Sequence, residues 1–117
     1  MEDSIFAKFA KGEMRPGNVR YEDDDILAFD DIHPAAPVHI LLIPKKPIES
    51  IADMEPGDEK IVGELVYRAK LLAEELGIDR PGYRVGFNVR DGGGQTVPYL
   101  HLHLMAGKTS WEYSTHH

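Results

Sequence analysis

The sequence contains no cysteine, which excludes a disulfide framework, a thiolate nucleophile and any cysteine-ligated metal. It has no apolar run approaching the roughly 18 residues that a membrane-spanning helix needs. Its first residues lack the basic-then-apolar pattern of a secretory signal. Positive charge is scarce: 13 Lys and Arg stand against 20 Asp and Glu, for a formal net charge of −7. A general nucleic-acid binder would show a basic face, so neither nucleic acid nor membrane is an expected partner. A small anionic ligand stays open, because a few backbone amides and imidazoles can hold one locally. The expected compartment is a reducing cytoplasm.

What is present is the composition of an ordinary globular protein, 42% hydrophobic and 28% charged over 117 residues. That length carries one core and is too short for two ordinary domains. The expected organisation is a single domain over residues 1–117, with a short lead at 1–3 and a tail at 108–117. No internal repeat or linker interrupts it.

The chain is organised around Tyr99-Leu100-His101-Leu102-His103-Leu104-Met105. In a strand, alternation puts Tyr99, His101 and His103 on one face and the three leucines on the other. At roughly 3.3 Å per residue the two imidazoles would stand about 6–7 Å apart. Just upstream, Asp91-Gly92-Gly93-Gly94-Gln95-Thr96 is a loop whose backbone can approach an anion closely, with Gly93, Gly94 and Gln95 able to form an amide nest.

The rest of the chain supplies the frame. Asp3 or Ser4 can cap a short helix carrying Ile5, Phe6, Phe9 and Ala10, with Gly12 as its stop. Val19–Tyr21 and Ile26–Phe29 read as strands joined by the acidic turn 22–25, a solvated hairpin tip. Two prolines make the stretch from Asp30 to Pro37 a loop. His39-Ile40-Leu41-Leu42-Ile43-Pro44 is apolar on both faces after its first residue, as a covered central strand is. On these residues alone His39 reads as a structural histidine. Asp53 can cap a turn before Pro56. Ile61, Val62, Leu65, Val66, Ala69, Leu72, Ala73 and Leu76 then form one helical stripe that Gly77 stops. Tyr83, Val85 and Phe87 alternate into one face of a further strand. The tail from Lys108 has no periodicity, and His116 and His117 are assigned no role. The layout predicts an α+β fold, a mostly antiparallel sheet backed by the long helix.

Three chemistries fit His101 and His103. A zinc site needs a third and usually a fourth ligand, and neither Asp31 nor His39 stands at a recognisable ligand spacing. Plain sheet packing is the second. The third is nucleophilic or acid–base work at phosphorus beside the glycine loop: a neutral imidazole attacks without first losing a proton, and the phosphoramidate it forms is open to hydrolysis.

The stretch Gly94-Gln95-Thr96-Val97-Pro98-Tyr99-Leu100-His101-Leu102-His103-Leu104-Met105 resembles the signature of the histidine triad (HIT) family, His-φ-His-φ-His-φ-φ with φ apolar. The resemblance to the family's Hint branch extends through Ser4-Ile5-Phe6, Tyr21 to Asp24, Leu27-Ala28-Phe29, Asp31-Ile32, Pro34, Ala36-Pro37, His39, Ile43 to Lys46, Gly82-Tyr83-Arg84, Asn88 and Asp91-Gly92-Gly93-Gly94-Gln95. It implies a HIT-like fold with a five-stranded sheet, one long and one short helix, and a homodimer whose two sheets join. It implies a purine nucleotide ligand and hydrolysis of the P–N bond of nucleoside phosphoramidates or aminoacyl-adenylates, with no cofactor and no metal. Carried over by position, His101 is the nucleophile, His103 the histidine that contacts the phosphate and helps move the proton, and His39 a fourth histidine in the proton relay. Asp31 takes the ribose position. Ile5, Phe6, Phe29, Ile32 and Leu41 take the base pocket, and Asn88, Gly94, Gln95 and Thr96 the phosphate and leaving-group contacts. Trp111 is a candidate substrate contact.

Tyr99 departs from the pattern, standing where the first triad histidine belongs. A phenol, with an unperturbed pKa near 10, donates one hydrogen bond and is no neutral-pH base, although the backbone carbonyl at the position is kept. This departure keeps a nucleotide-binding module with little turnover as one alternative. A dinucleoside polyphosphate hydrolase is the other.

Overall fold

The computed structural model describes residues 4–108 and Trp111; Asp3 and the two terminal histidines lie outside the described residues. Seven elements follow in chain order: α1 (Ile5–Lys11), β1 (Val19–Glu22), β2 (Ile26–Asp30), β3 (Val38–Pro44), α2 (Asp58–Glu75), β4 (Arg84–Phe87) and β5 (Leu102–Ala106), with short 3₁₀ turns at Ile51–Asp53 and Asp91–Gly93. The strands form one antiparallel sheet in the order β1-β2-β3-β5-β4. This is the α+β architecture expected.

Local chemistry sets most boundaries. Ser4 Oγ accepts from the Ala7 N–H at 3.1 Å, and Gly12 closes α1 in the left-handed region at φ 79°. Asp23 Oδ1 accepts from the Asp25 and Ile26 amides, both at 2.8 Å, so the acidic hairpin tip is held by one of its own carboxylates. Asp53 does not cap the turn before Pro56. The amides that follow it are already taken: Met54 N–H donates to Ile51 O, Glu55 N–H to Asp58 Oδ2, and Pro56 has none. Ser50 caps that turn through the Ala52 N–H, and Asp53 takes the Ser50 hydroxyl and Arg90 instead.

β3 is central and covered on both sides. On one face Ile40 and Leu42 join Ile26, Ala28, Leu100, Leu102 and Leu104 under Leu65, Ala69 and Leu72 of α2. On the other, Leu41 and Ile43 join Leu27, Phe29 and Tyr99 under Phe6 of α1. Val66 and Leu76 of the predicted stripe are 44% and 38% exposed. Val66 falls at the edge of the arc facing the sheet, and Leu76 sits where the chain turns out of the helix.

β5 begins at Leu102 rather than Tyr99. Pro98 offers no N–H, and the amides of Tyr99 and Leu100 pair with Val97 O and Ile48 O, outside the ladder. The alternation nevertheless runs through, so all three leucines face α2 while Tyr99 joins the α1 side. At the far end of β5, Gly107 has φ 96°, and a Cβ there would lie 2.9 Å from two ring carbons of Pro37. Left-handed strain and overlap together predict that Gly107→Ala costs about 2–4 kcal/mol. Denaturant unfolding checks this, and an unchanged midpoint counts against the contact.

Candidate active site

The sheet register builds the site. His103 lies opposite Leu41 of β3 and Gly86 of β4, while His39 lies opposite Met105. His39 and His103 are thus diagonal neighbours on one face, and His101 joins them one alternation earlier. The His101 and His103 rings lean together, with centroids 4.8 Å apart in an edge-type contact, inside the about 6–7 Å that separates alternate residues along a regular strand. Phe6 of α1 meets the His101 ring edge-on at 5.1 Å. His39 and His101 are 7% and 6% exposed.

Hydrogen bonds define the protonation of each ring. His101 Nδ1 lies 2.7 Å from the Tyr99 carbonyl, which can only accept. Nδ1 therefore carries the proton in the neutral ring, and Nε2 presents a lone pair. The Ala35 backbone N–H donates to His39 Nδ1 at 2.9 Å, so the His39 proton is on Nε2. That Nε2–H donates to His103 Nδ1, also at 2.9 Å. The remaining His103 proton is then on Nε2, a buried atom with no hydrogen-bond partner.

Burial favours the neutral forms that this pattern requires. It lowers the pKa of all three histidines, and in each case the Asp31 carboxylate works in the opposite direction. For His103 burial is reinforced by His101 and His39, and its pKa falls to about 4. Asp31 Oδ2 stands 3.5 Å from His39 Nε2, and its Oδ1 accepts from the His33 N–H. Burial pushes the Tyr99 phenol up to about 12, and its hydroxyl donates to Pro44 O at 2.6 Å, at the end of β3 away from His39.

A cleft of about 410 Å³ opens on His101 and His103. Ile5, Phe6, Phe29 and Leu41 give it an apolar side, Asp31 and Thr96 add polar groups, and Ile32 stands at the rim, 75% exposed. Four of the expected residues lie elsewhere. His39 sits behind His103. Asn88 faces a hollow of about 270 Å³ shared with His39, His103 and Arg84. Gly94 and Gln95 do not line the cleft. The amide nest is also absent: the N–H groups of Gly93, Gly94 and Gln95 all donate to carbonyls of Val89, Arg90 or Asp91. The Gln95 side chain is a clip, accepting from Arg90 N–H and donating to Glu49 O and Val97 O. The loop therefore folds on itself, and only Thr96 reaches the cleft.

Sequence reasoning missed Phe9, Pro16, Gly17, Asp30, His33 and Val97 in the cleft wall. Phe9 follows Ile5 and Phe6 at helical spacing, and Val97 continues the alternation of Tyr99 and His101, so both left a signal. The others arrive through loop packing and left none. A larger hollow of about 590 Å³ lies beyond Thr96, lined by Glu49, Ser50, Asp53, Arg90 and Asp91; it contains no imidazole. Among the described residues no three His, Asp or Glu side chains converge as a metal site would need, and no helix there is long and apolar enough to cross a membrane.

Comparison with known proteins points to one family. Residues 13–110 match the model of the HIT domain. An uncharacterized HIT-like protein of Synechocystis is 45% identical, over 94% of this chain and 96% of that protein. The purine nucleoside phosphoramidase of Escherichia coli K12 is 39% identical, over 92% of this chain and 89% of that enzyme. The crystal structure of a HIT family hydrolase from Legionella pneumophila superimposes with a TM-score of 0.88 at 46% identity, over 93% of this chain and 97% of that one.

Proposed function

The chain belongs to the HIT family, and from that premise we propose that it is a nucleotide hydrolase cleaving the P–N bond of purine nucleoside phosphoramidates or the acyl–phosphate bond of aminoacyl-adenylates through a nucleotidyl-histidine intermediate. One observation carries the reading: the His101 Nε2 lone pair and the unpartnered His103 Nε2–H belong to adjacent rings on the same cleft.

The cleft divides by chemistry. Phe6, Phe29 and Leu41, with Ile5 and Ile32 at the mouth, take the base by dispersion and area burial, which suits a purine and discriminates weakly between adenine and guanine. Asp31 accepts from the ribose hydroxyls. His103 Nε2–H donates to a phosphoryl oxygen, a charge-assisted bond that compensates its burial. Thr96 adds a hydroxyl, while Gly94 and Gln95 act by holding the loop that carries it.

His101 Nε2 then attacks phosphorus and the P–N bond breaks. The amine leaves with the electron pair and takes up a proton from solvent, which the later hydrolysis returns when water gives its hydroxide to phosphorus and releases its other proton. The His101 Nδ1–H stays on the Tyr99 carbonyl throughout, which supports the positive charge the ring gains as Nε2 bonds to phosphorus. Water hydrolyses the Nε2–P bond and releases the nucleoside monophosphate. Rapid quenching with an adenosine phosphoramidate, followed by peptide mass analysis, should find the nucleotidyl adduct on His101. Turnover with no adduct at that residue refutes the route.

The histidine pattern sets the pH dependence. Protonation of Nε2 destroys the nucleophile, and burial holds the His101 pKa below the usual imidazole value of 6.5. We therefore expect kcat/KM to stay flat from about pH 8 down to about 6.5 and to fall only below that value. An acid limb centred above 6.5 contradicts the buried nucleophile.

We further propose a homodimer formed along β4, which ends the sheet on one side. Val85 and Tyr83 are exposed there, and Tyr67 of α2 lies close by beside Lys70. An antiparallel second copy would pair the free edge and continue the sheet. Sedimentation at micromolar concentration should give twice the chain mass, and a monomer at that concentration rules this out.

A further inference from the structure

His39 is the histidine whose surroundings restrict it most. A backbone amide only donates, so the Ala35 N–H at Nδ1 fixes a lone pair there and a single proton on Nε2. His39 Nε2 in turn meets His103 Nδ1 at 2.9 Å. A relay through His39 must move a proton in at one ring nitrogen and out at the other. Release from Nε2 would leave an imidazolate, since the partner of Nδ1 among the described residues is a backbone amide that does not give up its proton. Uptake at Nδ1 would set an imidazole N–H against the Ala35 N–H. The residue is 7% exposed, and its Nδ1 is taken by the Ala35 amide.

We propose that His39 is a positioning residue and not a proton relay: its permanent Nε2–H, 2.9 Å from His103 Nδ1, holds His103 in the tautomer with its proton on Nε2, the nitrogen that has no protein partner. The proposal rests on the nucleotide-hydrolase reading for what that N–H does, but not for the tautomer itself. Without the donor, His103 is free to adopt the other tautomer, which would face a phosphoryl oxygen with a lone pair and repel it. The charged and titratable groups around the pair are few. Asp31 on the preceding loop is 3.5 Å from His39 Nε2, beyond hydrogen-bond length. His101 stands beside His103 on β5, and Arg84 of β4 acts electrostatically on His103. None of them supplies a proton to His39 Nδ1.

A relay needs a group that titrates, whereas a tautomer lock needs only a donor. His39→Gln keeps an amide N–H within reach of His103 Nδ1 and cannot titrate; His39→Ala keeps neither property. Turnover of an adenosine phosphoramidate should fall about 10–100-fold in His39→Ala, and His39→Gln should recover most of that loss. The pH profile of kcat in His39→Gln should overlay that of the wild type. Nitrogen-15 spectra of ring-labelled wild-type protein should show neutral His39 protonated at Nε2 and His103 protonated at Nε2. His103 should lose that preference in His39→Ala and keep it in His39→Gln. The proposal is overturned if His39→Gln is as impaired as His39→Ala while His103 keeps its tautomer, or if wild-type His39 carries its proton on Nδ1. Absence of turnover in the wild type would defeat the hydrolase reading alone, because the spectra test the lock without it.

Discussion

Replacing His101 by alanine should lower kcat for an adenosine phosphoramidate by at least about 10³-fold while leaving the nucleotide bound. Of the imidazoles packed beside His101, neither can take over the attack, because His103 carries its proton on Nε2 and His39 lies behind it with Nε2–H donated to His103. The loss should fall on kcat and kcat/KM alike, since a bond to phosphorus forms only beyond the ground state. Affinity for AMP should change far less. The base side of the cleft, Phe29 and Leu41, belongs to β2 and β3 and does not depend on the His101 ring. Removing a buried imidazole that Phe6 packs against costs stability, of the order of 1–3 kcal/mol, so thermal unfolding must accompany the kinetics. Calorimetric titration with AMP separates the outcomes. A folded variant that binds AMP and turns over within tenfold of the wild type would remove His101 from the chemistry.

What could be read in advance tracks how local each interaction is. The Ser4 cap, the Gly12 and Gly77 stops and the alternation from Tyr99 to Met105 involve residues a few positions apart, and their physics is written in the spacing. β3 as a central strand followed from residues apolar on both faces. The identity of His39 did not, because its partner lies 64 residues away across the β3–β5 register. Taken alone it looked structural; family resemblance moved it into the site, and the direction of the Ala35 amide now restricts what it does there. The glycine loop failed for the opposite reason. Its composition suggested free amides, but flexible backbone also pairs readily with itself, and three of those amides do so. Gln95 looked like a ligand contact and is a clip, which no spacing rule would reveal.

Tyr99→Ala should be among the most destabilising single changes in the chain, and Tyr99→Phe among the more instructive. The side chain is 3% exposed within the cluster of Phe6, Leu27, Phe29, Leu41 and Ile43. Truncating an aromatic ring in such a site costs about 3–5 kcal/mol, a large share of the 5–15 kcal/mol that typically holds a domain together. Tyr99→Phe keeps the ring and deletes one donor to Pro44 O, which is worth about 1–3 kcal/mol if the buried carbonyl is left unpaired. The chemistry should survive that change, since the group that orients His101 is the backbone carbonyl of residue 99, which every side chain at this position supplies. The phenol points to the end of β3 and, with its pKa near 12, holds its proton at any working pH. We therefore expect Tyr99→Phe to lose thermal stability yet keep kcat within severalfold below its unfolding temperature. Tyr99→His should also fall in stability without gaining rate, because an imidazole is too short to reach Pro44 O from the same backbone. If Tyr99→Phe instead stays folded and loses kcat by a hundredfold, the hydroxyl takes part in the reaction, and the first triad position is doing chemistry rather than holding the second in place.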